Sequence, residues 1–283
     1  MIILEKQKKI ALINDMSCIG RCSLTAALPI ISACGFHCVP LPTGIFSAQS
    51  EFDNFVCADL TDKIQSFADH WKNIGIRFDA IYTGYLATKE QAETVKRFLI
   101  DFKKSDTFSI VDPVMGDNGE FYSGIDESFV EEMRFLCAMA DIITPNVTEA
   151  QMIAGVECTA APYTTAQITD LLIKLRGLGT PRIVITGIES EDGQIGCAVY
   201  DSFTRKANMF FTPKAEGRFP GAGDVFAAAL VSAVMKGKEF TDAVQLAMTF
   251  ACDCVEKTAP SDEPRGFGLQ FEPQIHKLIM AVK

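Results

Sequence analysis

Positive charge is in short supply: 26 lysines and arginines face 36 acidic residues, for a formal charge of −10. Nucleic acids and anionic membrane surfaces are held through basic patches, so this balance argues against both. An anionic ligand would have to be held by local amides, a metal ion and a few cations. Histidine is scarcer still. His37, His70 and His276 are scattered and read as surface or interfacial residues. The ten cysteines include no C-x-x-C pair, and Cys18/Cys22 and Cys252/Cys254 lack the second half of a zinc site. Most cysteines sit in apolar stretches, as Cys34 does in Ala33–Phe36, and are expected to be small buried thiols in a reducing cytosol. No apolar run reaches membrane-spanning length, and Met1–Leu4 is too short for the apolar core of a signal peptide. A cytoplasmic protein is expected.

Familiar phosphate motifs are missing too. There is no G-x-x-x-x-G-K-[ST], so the chain is not a P-loop enzyme. Gly221-x-Gly223-x-x-Phe226 lacks the third glycine of a dinucleotide fingerprint and falls late in the chain. No H-E-x-x-H or G-x-S-x-G occurs.

What is there is ample core: 48% of the residues are hydrophobic and 22% charged, the balance of a globular protein. Strand-like and helix-like segments alternate almost throughout. Strands are predicted at Lys9–Asn14, Cys38–Leu41, Ala80–Thr83, Phe108–Val111, Ile142–Thr144 and Arg182–Thr186. Helices are predicted at Ser23–Cys34, Leu60–Asn73, Lys89–Lys103, Glu127–Cys137, Val147–Ala154 and Thr165–Leu178. Gly196–Tyr200 and Lys206–Phe211 read as an antiparallel hairpin. Helices Gly223–Met235 and Thr241–Glu256 then lead to a last one near Pro273–Val282. This alternation predicts an α/β fold with a mostly parallel sheet between helical layers. No linker or repeat divides the chain, so residues 1–283 are expected to form one domain.

In such folds ligands bind beyond the carboxyl ends of the strands, and the polar residues gather there. The first strand leads into Asn14-Asp15 and the second into Ser47-Ala48-Gln49-Ser50. The next ones lead into Thr83-Gly84-Tyr85, Asp112-Pro113-Val114-Met115-Gly116-Asp117, Thr144-Pro145-Asn146-Val147-Thr148-Glu149 and Thr186-Gly187. Asp112, Asp117 and Glu149 could gather around Mg²⁺, which prefers oxygen ligands and keeps part of its hydration shell. Turn capping by Asp112 and an ordinary first-turn role for Glu149 are the alternatives.

The most informative segment is Phe219-Pro220-Gly221-Ala222-Gly223-Asp224, which opens an apolar helix. Bare amides at a helix N-terminus bind anions. A carboxylate placed among them suits a base that deprotonates a hydroxyl attacking a phosphoryl group. Plain N-capping by Asp224 is the alternative.

Phe219–Asp224 resembles the anion-hole and catalytic-base motif of the ribokinase superfamily. The Thr83, Asp112 and Thr144 segments resemble those of its pyridoxal kinase branch, in the same order and over almost the whole chain. The resemblance implies a ribokinase-like three-layer αβα fold and ATP-dependent phosphorylation of the 5′-hydroxymethyl of pyridoxal, pyridoxine or pyridoxamine. It implies Asp224 as general base and the amides of Gly221, Ala222 and Gly223 as the anion hole. Asp112 and Glu149, with Asp117 and Asn146 nearby, would hold Mg²⁺ and the triphosphate. Thr144 and Thr186 would touch phosphate oxygens, Gly187 and Phe219 would lie along the nucleotide, and Tyr85 would lie against the pyridine ring. A homodimer and a monovalent cation are implied as well.

The departures lie in the vitamin pocket. Asp15 stands where these kinases usually carry serine, and Ser50 takes the position of a threonine. A carboxylate facing the ring would favour a cationic amine or a protonated pyridine nitrogen, which points to pyridoxamine. Hydroxymethylpyrimidine kinases share the fold but typically carry cysteine at the position of Asp224. Superfamily sugar kinases usually carry a Gly-Gly pair and a lid of extra strands, and the segment after Gly20 offers neither. A binding protein without turnover would not need Asp224.

Overall fold

The computed structural model describes residues 6–283, so Met1–Leu4 lies outside the described residues. Strand β1 (Lys9–Ser17) begins the sheet. Ile10 and Leu12 enter one helical core while Ala11 and Ile13 enter the other, as expected of a parallel strand covered on both faces. Helix α1 (Ser23–Ala33), β2 (His37–Phe46), β3 (Cys57–Asp59) and α2 (Thr61–Asn73) follow. Then come β4 (Ala80–Thr83), α3 (Lys89–Phe102), β5 (Phe108–Val111), the small pair β6 (Gly116–Asp117) and β7 (Glu120–Phe121), and α4 (Glu127–Met139). Strand β8 (Ile142–Ile143), α5 (Val147–Ala154), α6 (Thr165–Leu175), β9 (Arg182–Glu189), β10 (Gln194–Asp201) and β11 (Lys206–Pro213) complete the sheet region. The chain ends in α7 (Ala222–Met235), α8 (Phe240–Thr258) and α9 (Ile275–Ala281).

The nine-stranded sheet has the order β11-β10-β9-β8-β5-β4-β1-β2-β3. Strands β9 to β2 in that order are parallel, while β10, β11 and β3 run antiparallel at the two edges. Helices α1, α7, α8 and α9 pack on one face and α2 to α6 on the other. The three-layer ribokinase-like architecture expected from the sequence is therefore present, with its late hairpin. Strand β2 lies to one side of β1 and β4 to the other, so the order reverses between β1 and β4. That switch point is where doubly wound sheets place their ligands.

Several element bounds differ from the expectation. Strand β2 runs five residues past Leu41 to Phe46 despite Pro40 and Pro42. His37 N–H donates to Lys8 O, so by alternation the positions of both prolines face away from β1, where a missing N–H leaves no ladder bond unmade. Strand β3 and the β6–β7 pair went unforeseen, being two or three residues long and too short for a period. Strand β9 continues beyond Thr186 to Glu189. Gly187 therefore lies inside a strand, at φ 68°, opposite the register shift between Gly196 and Ala198; a left-handed glycine at a bulge explains both. Helix α6 stops at Leu175 and finishes as a 3₁₀ turn to Leu178. The last helix begins at Ile275, after a 3₁₀ turn over Glu272–Gln274. All ten cysteines are free thiols, and among the described residues no helix is long and apolar enough to cross a membrane.

The α2–α3 side of the core is aromatic. Phe98 stacks on Phe102 at 4.4 Å and meets Phe78 and Trp71 at 5.9 and 6.2 Å. Phe98→Ala should cost about 3–5 kcal/mol of stability in urea unfolding; a loss below ~1 kcal/mol would show that the cluster is not tightly packed.

Candidate active site

The first turn of α7 is built to be bare. Gly221 is its N-cap, with φ 81°, and a Cβ there would fall 2.1 Å from Arg21 O, so only glycine lets this loop sit against the start of α1. Ala222 N–H donates to Phe219 O at 3.2 Å. The Ala222 amide expected in the anion hole is thus turned to its own loop. Among the described residues the amides of Gly221, Gly223 and Asp224 have no protein partner, which leaves them for an anion. Asp224 is the third residue of the helix and makes no capping bond, which sets the N-cap reading aside.

The Asp224 side chain points to the switch point. Burial pushes its carboxyl up to about 7; the Ser23 amide and the Asn14 side chain pull it down, and Asp15 adds to the rise. Asp15 is itself 5% exposed and is raised by burial, against hydrogen bonding from Ser23 and Ser17. Ser17 Oγ donates to it at 3.0 Å. Tyr85 lies beside Asp15, and its phenol is raised by burial and by that carboxylate. Asp15, Tyr85 and Asp224 are therefore brought together. Ser50 is not: it is exposed on the loop after β2, while Gln49 turns inward and donates to Gly266 O.

The acidic strand ends form a second group. Asp112 and Glu149 are both buried. Asp112 is pushed up to about 7 by burial and by Asp224, and Glu149 is raised by burial and by Asp112. Glu149 closes a capping box: Asn146 Oδ1 accepts its amide at 2.9 Å, and Glu149 Oε2 accepts the Asn146 amide at 2.8 Å. Its other oxygen accepts Met115 N–H at 3.1 Å. Thr144 Oγ1 donates to Asp112 at 3.0 Å, so its single proton is not free for a phosphate oxygen here. Asp117 stands apart on the β6–β7 pair, 3.5 Å from Arg218. Among the described residues no three His, Cys, Asp or Glu side chains gather as a ready-made metal cage. The donors nonetheless fit Mg²⁺. Asp112 and Glu149 are buried carboxylates that repel each other, and with Asp224 they lack any paired cation among the described residues. Buried like charges of this kind call for a counter-charge.

The rim is polar. Thr186 bridges to Asn146, and Gly187 is exposed beside them. Phe219 is covered by the Arg265 guanidinium, 4.7 Å from its ring centroid. Arg218, just before the anion loop, reaches Glu51 at 3.3 Å as well as Asp117, which ties the loop after β2 to the β6–β7 pair.

Residues to which the sequence reading gave no role in the site are Asn14, Ser17, Ser23, Tyr82 and Arg218. Tyr82 is fully buried, with a hydroxyl that lacks a partner among the described residues and lies near Asp112, Asp224 and Asp15. Asn14 carried a readable signal, a polar residue closing an apolar strand. Tyr82 carried none, since a tyrosine in a strand is ordinary.

A sequence profile described as Phosphomethylpyrimidine kinase matches residues 25–266. The chain is similar to a Bacteroides thetaiotaomicron protein, provisionally named a phosphomethylpyrimidine kinase, in a crystal form with pyridoxal. They share 33% identity and a TM-score of 0.92, covering 96% of each chain. Pyridoxal kinase from Lactobacillus plantarum gives 25% identity and a TM-score of 0.89, over 97% of this chain and 98% of that one. A Schizosaccharomyces pombe protein provisionally named pyridoxal kinase is 23% identical over 276 residues, 89% of this chain and 86% of the relative.

A carboxyl raised by folding keeps its proton where the unfolded chain has lost it. Its ionisation then works against the fold as pH climbs from the unfolded value through the folded one. With Asp112 and Asp224 raised from 3.8 to about 7, the ligand-free protein should lose Tm as pH rises from about 4 to about 7 and level off above. Asp112→Asn should flatten that fall and raise Tm at pH 8, by about 2–4 °C for each kcal/mol recovered. A Tm independent of pH in calorimetry would contradict this.

Proposed function

Because the chain belongs to the phosphomethylpyrimidine kinase family, we propose that it phosphorylates the 5′-hydroxymethyl group of a vitamin B6 vitamer with ATP. One observation carries this reading: Asp224 stands in the first turn of α7, where the amides of Gly221, Gly223 and Asp224 have no protein partner among the described residues, and burial raises its carboxyl to about 7. A base poised near the working pH suits proton removal from a hydroxyl. The pyridoxal in the Bacteroides crystal form supports a pyridine ring as the substrate.

In this mechanism Asp224 accepts the proton of the vitamer's hydroxymethyl group. The oxygen forms its bond to the γ-phosphorus as the bond to the β–γ bridging oxygen breaks, giving the 5′-phosphate and ADP. The amides of Gly221 and Gly223 stabilise charge on the transferring phosphoryl oxygens. Asp112 and Glu149, directly or through water, and Asp117 farther out would hold Mg²⁺, whose chemistry is charge neutralisation on the triphosphate. Asn146, Thr186, Gly187 and Phe219 line the nucleotide side, and Tyr85 backs the pyridine ring. A monovalent cation and a homodimer belong to the same proposal. Exposed Met16, Ile19, Ile45 and Val56, around the paired Met16 and Ile45, support the homodimer.

Vitamer choice turns on Asp15. Its burial beside Tyr85 and its contact with Ser17 support a pocket that prefers a cationic partner, and hence pyridoxamine over pyridoxal. A second reading, hydroxymethylpyrimidine phosphorylation, is favoured by the description of the matching family itself.

ADP release should be measured with pyridoxal, pyridoxine, pyridoxamine and hydroxymethylpyrimidine. Turnover with the pyrimidine alone would favour the second reading, and none with any of them would leave a binding protein. Asp224→Ala should lower kcat by roughly 10²–10⁴-fold, the usual reach of a general base. Asp15→Ser should shift kcat/KM away from pyridoxamine, and an unchanged ranking would sink the role given to Asp15. Mg²⁺ alone should raise Tm at pH 8 for the wild type but not for Asp112→Asn; equal shifts would remove Asp112 from the metal site.

A further inference from the structure

Asn14 is fully buried at the point where β1 bends away from regular pairing. Its Oδ1 accepts two backbone amides, Asp15 N–H at 3.0 Å and Tyr85 N–H at 2.8 Å. Two donors on one oxygen fix the orientation of the amide, because a flipped side chain would set N–H against N–H twice. The Nδ2 end must then point the other way. It is buried and has no partner among the described residues, which is rare for a native amide and marks a donor reserved for something. The Asp224 carboxyl is the charged group beside it, drawn down by the Ser23 amide and by this same side chain.

Gly84 supports the arrangement. A Cβ at that position would fall 2.2 Å from Asn14 Nδ2 and 2.7 Å from its Cγ. The glycine of Thr83-Gly84-Tyr85 is therefore explained by the Asn14 amide lying against the end of β4. Strands β1 and β4 are paired as far as Ile13 and Thr83, and just beyond that ladder this side chain joins the two ends across the switch point.

We propose that Asn14 is the positioning residue of the catalytic base: Nδ2 donates to one oxygen of the Asp224 carboxylate and leaves the other to take the substrate proton. The inference rests on the reading of Asp224 as base. Asn14 touches neither substrate nor phosphate. It holds Asp224 in one rotamer as the hydroxyl approaches, while Oδ1 stays on the backbone of Asp15 and Tyr85. Orientation of a reacting group in this way acts on kcat and leaves ground-state binding alone.

Two measurements test it. Asn14→Asp keeps the size and the acceptor for both amides but puts an oxygen where Nδ2 was. It should lower kcat roughly 10–100-fold, the scale seen when a group that orients a functional side chain is lost, with KM for vitamer and ATP within about threefold of wild type. Gly84→Ala, which crowds the same amide, should show the same split. A fall in Tm with both KM values raised and kcat kept would mean that Asn14 only supports the backbone, and would overturn the proposal. The second measurement needs no turnover: in ligand-free protein the Asn14 side-chain amide resonances should move when Asp224 becomes Asn. No movement overturns the proposal while leaving the kinase reading intact, whereas an active Asp224→Asn enzyme would refute the base and leave the amide contact to be judged by its resonances.

Discussion

The molecule is organised around carboxylates that burial and mutual repulsion make unfavourable. Asp15, Asp112 and Glu149 are buried, and Asp224 is half-buried beside them. Each is raised above its ordinary value, with burial as the largest cause. Natural cores avoid such groups unless something compensates them. Here the local compensation is partial and consists of backbone amides and hydroxyls: Met115 and Asn146 for Glu149, Thr144 for Asp112, Ser17 for Asp15. Hydrogen bonds to the charged form ease its burial without removing the repulsion. Strain stored in this way at one end of a sheet is the expected signature of a site completed by a cation and by donors from a ligand.

Most of the fold was legible because the helices and buried strands carry clear periods. Ile10–Ile13, Ile81–Tyr82 and Ile183–Ile185 are fully buried runs, and short apolar runs alternating with helical segments suit parallel strands covered on both faces. What escaped was decided by partners distant in the chain. Strand β3 exists because Gly44–Phe46 pairs with Cys57–Asp59, not because Cys57–Asp59 has strand character. Thr186 was read as the last residue of its strand, whereas β9 continues past it because β10 pairs with Ile188 and Glu189.

The site was legible at the level of types and blurred at the level of contacts. Asp224, Asp112, Glu149 and Asp15 were singled out by position after strands or glycines; Asp15 and Asp224 lie together at the switch point, and Asp112 and Glu149 form the neighbouring group. Ser50 was placed by counting along a loop. The loop turned Gln49 inward instead, because Gln49 packs against Gly20 and anchors to Gly266 O, 217 residues further along the chain. Ala222 was counted as an anion-hole donor, but its amide closes the turn on Phe219 O. Turn closure of that kind depends on φ and ψ, which residue types alone leave open.

The anion loop is held from several sides. Gly221 packs on Arg21 O, and Gly268 lies against Arg21 from the C-terminal segment. Arg21 is fixed in turn by Glu263 and Glu272. Arg265 caps the end of α8 through Thr258 O and Ala259 O while stacking over Phe219. The isolated value of each exposed ion pair is small. Their joint effect is geometric, because the segment after α8 meets the β1–α1 loop, the loop after β2 and the anion loop within one stretch. A loop whose amides must aim at a transferring group tolerates little movement. The long-range clasp by residues 263–272 supplies rigidity that a glycine-rich turn cannot supply itself.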